Sequence, residues 1–315
     1  MPERSADQNR FLGTLLGMAI GDAMGMPVAG WTPEQIRRRY TRIDSYHRLV
    51  FDDGAEIKAG EFTDESELAL CIVESASSNG GRIDPELVGP RMIFLARGEA
   101  KRWMHADTLR ALEAADDSLE FVVPLSDDGP VTADVAARGI PIGLLHSIGE
   151  IDINALKIDA ERVTRITHGS PVAIDLVIAV AIGVAIAARR VDPSEWASRV
   201  ASVLNNGSVG AAFSEKAHET DDPITIVRNA FEIAATAATL EEAVFRAVNL
   251  GGAADSRGAI AGALAGARFG AEGVPQELIN DLEGRIYVSL AAPWFYKSAQ
   301  RRAGKVIDLI QRQDD

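Results

Sequence analysis

Cysteine is almost missing from this 315-residue chain. Cys71 stands alone, which excludes an intramolecular disulfide and any zinc site built on thiolates. A reducing compartment, the cytoplasm, is the simplest setting for such a sequence. Positive charge is also scarce. Lys and Arg number 32 against 46 Asp and Glu, and the formal net charge of −14 argues against general affinity for nucleic-acid backbones. Clean membrane-spanning runs are lacking too. Pro171–Ala188 has nearly the right length, but Asp175 lies inside it, and Asp22 interrupts the apolar stretch Phe11–Trp31. Both read as buried core helices, so no membrane partner is expected.

Long alternating runs of β-branched residues are absent, which leaves little room for a sheet; a small hairpin within residues 48–62 is compatible with the pattern. No fixed-period repeat and no low-complexity linker divides the chain. One domain over residues 1–315 is the economical reading. The composition, 47% hydrophobic and 25% charged, is that of a globular protein able to bury a large core.

What is present is helical periodicity. Phe11, Leu12, Leu15, Leu16, Ala19 and Ile20 fall on one helical face, and Leu68, Ile72 and Ala76 repeat the spacing. Further helical segments are expected over 86–97, 107–115, 134–146, 153–166, 171–190, 193–204, 224–236, 240–249, 256–268 and 275–312, the last broken near Pro293. The fold class is therefore all-α, a single multi-helix unit. Small residues crowd one helix, from Gly258 through Gly262 to Gly266 and Ala267. Glycine inside a helix costs about 1 kcal/mol relative to alanine. Such a run points to close backbone packing against a neighbour.

Two acidic helix starts carry the candidate chemistry. The first is Gly60-Glu61-Phe62-Thr63-Asp64-Glu65-Ser66-Glu67. Asp64 and Glu67 have the spacing of a capping box, and acidic residues suit a helix N-terminus. Alternatively, Thr63, Asp64 and Glu65 offer three hard oxygen ligands within one turn, the chemistry that suits Mg2+ or Mn2+. The second is Leu250-Gly251-Gly252-Ala253-Ala254-Asp255-Ser256-Arg257-Gly258, which reads as a glycine turn with an Asp or Ser cap, or as a backbone left bare for a ligand. Spacing alone does not bring the two starts together.

Five segments in order resemble the ADP-ribosylglycohydrolase family: Phe11–Pro27, Gly60–Leu70, Ala136–Gly143, Thr167–Pro171 and Gly251–Gly266. The resemblance is clearest over residues 11–270. It implies an all-helical fold whose cleft holds Mg2+ or Mn2+, and hydrolysis at the anomeric carbon of a ribosyl group, in an ADP-ribosylated substrate or a small riboside. By position it implies Thr63, Asp64, Glu65, Asp255 and Ser256 as metal ligands. Two departures matter. The family's Glu after the Gly-Asp-Ala segment falls on Ala29, and the first Asp of its late motif falls on Ala253. Both normally serve a second metal, so one ion is expected here instead of two. Trp103–Thr108 stands where the family has a glycine-rich, phosphate-facing loop, and its glycines are gone.

Glu65 is the expected proton acceptor, with Asp64 beside it in the catalytic pair. His105, Asp107, His168 and Arg257 are candidate substrate contacts. Each has a plainer alternative: His168 lining a turn, Arg257 on the surface, His105 and Asp107 away from the cleft. Asp22 is expected to satisfy local backbone donors, and Trp103 either stacks on a base or packs. No Ser-His-Asp or Cys-His nucleophile pattern is visible. The readings left standing are a metal-dependent ribosyl hydrolase, a non-catalytic relative that keeps the fold as a binding or structural protein, and another metal-assisted hydrolase.

Overall fold

The structure, a computed structural model, describes residues 5–214 and 221–305. Fifteen α-helices, five short 3-10 helices and one short hairpin form the regular structure of these residues. Helices α1 (Ala6–Gly25) and α2 (Pro33–Tyr40) precede the hairpin of β1 (Leu49–Val50) and β2 (Glu56–Ile57), then α3 (Asp64–Ser78), α4 (Pro85–Ala96) and α5 (Ala106–Ser118) follow. The middle of the chain supplies α6 (Gly139–Leu145), α7 (Ile153–Thr164), α8 (Pro171–Ala188), α9 (Trp196–Ala201) and α10 (Gly207–Ser214). The last five are α11 (Pro223–Thr236), α12 (Leu240–Val248), α13 (Ala254–Phe269), α14 (Gln276–Asp281) and α15 (Arg285–Arg302).

The centre is set by glycine at every fourth position of two helices. Gly13, Gly17 and Gly21 of α1 face Gly266, Gly262 and Gly258 of α13, so the helices run antiparallel. A Cβ on Gly17 would stand 2.1 Å from the carbonyl oxygen of Gly262, and one on Gly21 1.9 Å from that of Gly258. Backbone touches backbone, as the small-residue run requires. The same register places Gly25, at the end of α1, against Ala254 and Asp255, at the start of α13. This is how a carboxylate from each helix reaches one region.

Around this pair α8 is enclosed, with every residue from Ala173 to Ala188 buried. Ala6–Val28 and Pro171–Ala188 are both long and apolar enough to cross a membrane, yet 94% and 89% of their apolar windows are already covered by protein. A single contiguous cluster of apolar side chains runs from Phe11 to Ala299. The hairpin falls within 48–62 as the pattern allowed, pairing Leu49 with Ile57 and Val50 with Glu56.

Several boundaries differ from expectation. The C-terminal helical stretch breaks at Leu282–Gly284, where Gly284 has φ 73°, and α15 runs through Pro293. A proline removes one backbone bond, here to Ser289, and burial of Val288, Ala292, Phe295 and Ala299 on the core side holds the helix together. Residues 134–138 form a tighter 3-10 turn ahead of α6, and α9 is shorter than the segment 193–204. Helices α2 and α10 lie outside the expected segments, since α2 buries only Ile36 and α10 only Val209 and Phe213, too few to show an apolar period.

Candidate active site

The N-terminus of α3 is capped from another helix. Thr63 occupies the N-cap position without a side-chain cap of its own. The fully buried Asp22 of α1 accepts instead, from Thr63 N at 3.0 Å, Ser66 N at 3.0 Å and Thr63 Oγ1 at 2.6 Å. Three donors around a helix start thus find one carboxylate. The capping box of Asp64 and Glu67 does not form. Glu67 accepts from Trp103 Nε1 at 3.3 Å. With Asp22 serving as the cap, Asp64 and Glu65 are released to face a cleft.

That cleft, of about 360 Å³, is lined by Asp64, Glu65, Asp134, Asp221, Asp255 and Ser256, together with Ala29, Trp103, His105, Thr132 and Ala253. The two acidic helix starts meet here: Ser256 Oγ donates to Glu65 Oε1 at 2.7 Å across 191 positions of sequence. Asp255 Oδ1 accepts from Ser256 N at 2.8 Å, so α13 likewise lacks the side-chain N-cap that its glycine turn suggested. Asp64 Oδ2 accepts from His105 N at 3.4 Å. Asp134 Oδ2 accepts from Thr108 Oγ1 at 3.1 Å, and its Oδ1 is buried with no hydrogen-bond partner.

Gathering these carboxyls raises their proton affinity. Burial, and then the charges of Asp134, Asp22 and Asp255, push Asp64 well above the usual carboxylate range. Burial and the neighbouring Asp255 and Asp64 do the same to Glu65. Burial lifts Asp255 to about 7. Such a group ionises together only when a positive charge joins it.

Among the described residues, no three His, Cys, Asp or Glu side chains already meet at a spacing that would hold a metal ion. The carboxyls are turned to protein donors, Glu65 to Ser256 and Asp64 to the His105 amide. What fits is the donor chemistry. Asp64, Glu65, Asp134, Asp255 and Ser256 offer the cleft hard oxygens, which suit Mg2+ or Mn2+, and Asp134 keeps one buried oxygen unpartnered.

Of the sequence-derived candidates, Asp64, Glu65, Asp255, Ser256 and His105 come together in the cleft. Thr63 stands just behind the lining: its hydroxyl lies 2.6 Å from Asp22 Oδ1 and 3.3 Å from Glu65 Oε2. Asp107 turns aside to pair with Arg110. His168 is wholly buried behind the wall, between Thr132 and Thr167. Arg257 is neither on the surface nor in the cleft. Buried, it donates to Gly251 O at 2.6 Å and to Asp221 Oδ1 at 3.3 Å, bracing the loop that leads into α13. Ala29 and Ala253 do face the cleft and bring it no donor, while Asp221 beside Gly252 is held by Arg257. Asp134, Thr132 and Asp221 were missed. Asp134 left one signal, a lone carboxylate opening the apolar run Val135–Leu145; the other two left none.

Comparison with known proteins agrees with this architecture. An uncharacterized protein of Archaeoglobus fulgidus is 29% identical, over 93% of this chain and 98% of its own length. The ADP-ribosyl-[dinitrogen reductase] glycohydrolase of Rhodospirillum rubrum is 25% identical, over 88% of this chain and 92% of its own. A solved structure described as an ADP-ribosylglycohydrolase-related protein complex superposes with a TM-score of 0.77 at 24% identity, covering 93% of this chain and 99% of that one, which shows the shared fold. A sequence profile of ADP-ribosylglycohydrolase matches residues 3–310, nearly the whole length, and the chain belongs to that family.

Proposed function

We infer that this protein hydrolyses the bond at the anomeric carbon of a ribosyl group, in an ADP-ribosylated substrate or a smaller riboside, with one divalent ion, Mg2+ or Mn2+, held in the acidic cleft. The observation that carries the reading is the 2.7 Å contact between Ser256 and Glu65, which joins the α3 and α13 helix starts around one space. Asp64, Glu65, Asp255 and Ser256 would hold the ion, with Asp134, one of whose oxygens has no partner, lining the same cleft. Bound there, it supplies the charge that lets these carboxylates ionise together and that polarises a ribosyl oxygen.

The side chains then divide the work. Glu65 accepts the proton of the attacking water, since it is the cleft carboxylate already facing a donor across the two motifs. Asp64, fixed by the His105 amide, holds the substrate's ribosyl end beside it. Trp103 and His105 flank the cleft where the aglycone or base would lie. Ala29 and Ala253 bring no ligand, and the Asp221 carboxylate beside them is paired with Arg257, which is why we assign one ion.

Those same two alanines favour the second reading, a binding protein that has lost catalysis. Titration of Mg2+ and Mn2+ against thermal unfolding, followed by assays on ADP-ribosyl-arginine, ADP-ribosyl-serine and simple α-ribosides, separates the two. The hydrolase reading expects metal-dependent turnover that Asp64→Ala and Asp255→Ala abolish. Turnover untouched by either substitution would refute it, and metal binding without turnover would favour the second reading.

A further inference from the structure

Behind the cleft wall lies a row of polar side chains that this chemistry does not use. Arg138 ends the 3-10 turn ahead of α6, and Thr167 and His168 lie in the turn between α7 and α8. All three are buried. Arg138 Nη1 donates to Thr167 Oγ1 at 2.6 Å, Thr167 Oγ1 lies 2.7 Å from His168 Nδ1, and His168 Nε2 lies 3.0 Å from Thr132 Oγ1. Thr132 lines the cleft.

The row has a direction. A guanidinium only donates, so the Thr167 oxygen must accept from Arg138. Among the described residues, the one acceptor bonded to the Thr167 hydroxyl is His168 Nδ1. A proton on Nδ1 would leave that hydroxyl hydrogen buried without a partner, at a cost. Nδ1 therefore accepts. Burial, then the nearby Arg138, lower the pKa of His168 to about 4, so the ring is neutral near pH 7 and its one proton sits on Nε2. Nε2 donates to Thr132, whose oxygen is thereby used as an acceptor. The proton of Thr132 itself has no acceptor among the described residues.

We propose that Arg138, Thr167 and His168 form a one-way hydrogen-bond chain that fixes Thr132 as a donor to a substrate oxygen in the cleft. The carboxylates around it accept when ionised, so a buried donor at this point selects a ligand that presents a lone pair, such as a ribosyl hydroxyl or ring oxygen. His168 becomes a positioning residue that acts through Thr132. The identity of the oxygen rests on the ribosyl-hydrolase reading; the direction of the chain does not.

Nitrogen-15 NMR of the full chain labelled at histidine, with His168→Gln to assign the signal, reads the direction without any substrate. The expected result is a neutral ring protonated on Nε2 across about pH 6 to about pH 8. A ring protonated on Nδ1 overturns the chain. Steady-state kinetics on ADP-ribosyl-arginine read its use. Thr132→Val is expected to lower kcat/KM by about ten- to thirty-fold, while Thr132→Ser, which keeps the hydroxyl, stays within about threefold. His168→Gln, whose amide accepts and donates in the same order, retains most activity. His168→Leu matches Thr132→Val, and the double variant is no worse than either. Additive losses, or a Thr132→Val protein as active as the wild type, overturn the proposal. A wild-type protein that turns over none of the ribosyl substrates overturns the hydrolase reading instead, and the tautomer still decides the chain.

Discussion

Asp255 lies half-buried in the first turn of α13, and its carboxyl is pushed up to about 7. In the unfolded chain the same group releases its proton near 3.8. Between those values the metal-free folded protein binds more protons, so its stability falls as pH rises through that window. Differential scanning calorimetry in chelator should show Tm decreasing from about pH 4 to about pH 7, with a flatter slope in Asp255→Asn; a slope unchanged by the substitution would discount this origin. Asp22 works differently, since its carboxylate satisfies three donors at the start of α3. Asp22→Ala leaves them buried and should cost about 2–4 kcal/mol in urea unfolding. Glu65→Gln keeps the Ser256 contact but cannot take a proton. A drop of about 10²–10⁴ in kcat with folding intact is the expected kinetic signature.

Among the elements, α1 and α13 are held by the absence of side chains. A methyl on Gly17 or Gly262 would meet a carbonyl oxygen at 2.1 or 2.0 Å, and because backbone is on both sides neither helix can yield by rotating a side chain. Gly17→Ala and Gly262→Ala should each destabilise by about 1–3 kcal/mol or more, although alanine favours helix. Gly210 of α10 is the control, since a methyl there would have its nearest neighbour at 3.9 Å. Gly210→Ala should be neutral or stabilise by up to about 1 kcal/mol, both measured by chemical denaturation. Because the α1–α13 register also places Asp22 near Asp255, the destabilising pair should weaken Mg2+ binding as well as folding. The glycine spacing was legible in the sequence. That the two glycine rows face each other was not, since either could have packed against any neighbour.

Across the molecule, the cleft draws on the start of α3, the turn before α6, the start of α13 and the loop before α11, all packed around one continuous apolar core. An ion that bridges such distant stretches binds the folded chain and not the unfolded one. At a hundredfold excess over Kd, Mg2+ or Mn2+ should raise Tm by about 5 °C, and Asp64→Ala should remove the shift. The site's acidic half was readable as two motifs, because Asp64–Glu65 and Asp255–Ser256 are contiguous in the chain. Its Asp134 wall was not, because a single carboxylate before an apolar run looks like any helix start.

By itself the sequence determined most of the helices, through apolar period, and the types of atom available for chemistry, through its acidic helix starts and its single thiol. Only the tertiary structure decided which of those atoms share a space. Thr63 turned to Asp22, His168 sank behind Thr132 and Arg257 braced a loop, while Glu65 met Ser256. The physical reason is that periodicity is a property of neighbours along the chain, whereas a buried polar group is placed by whichever partner, however distant, satisfies it.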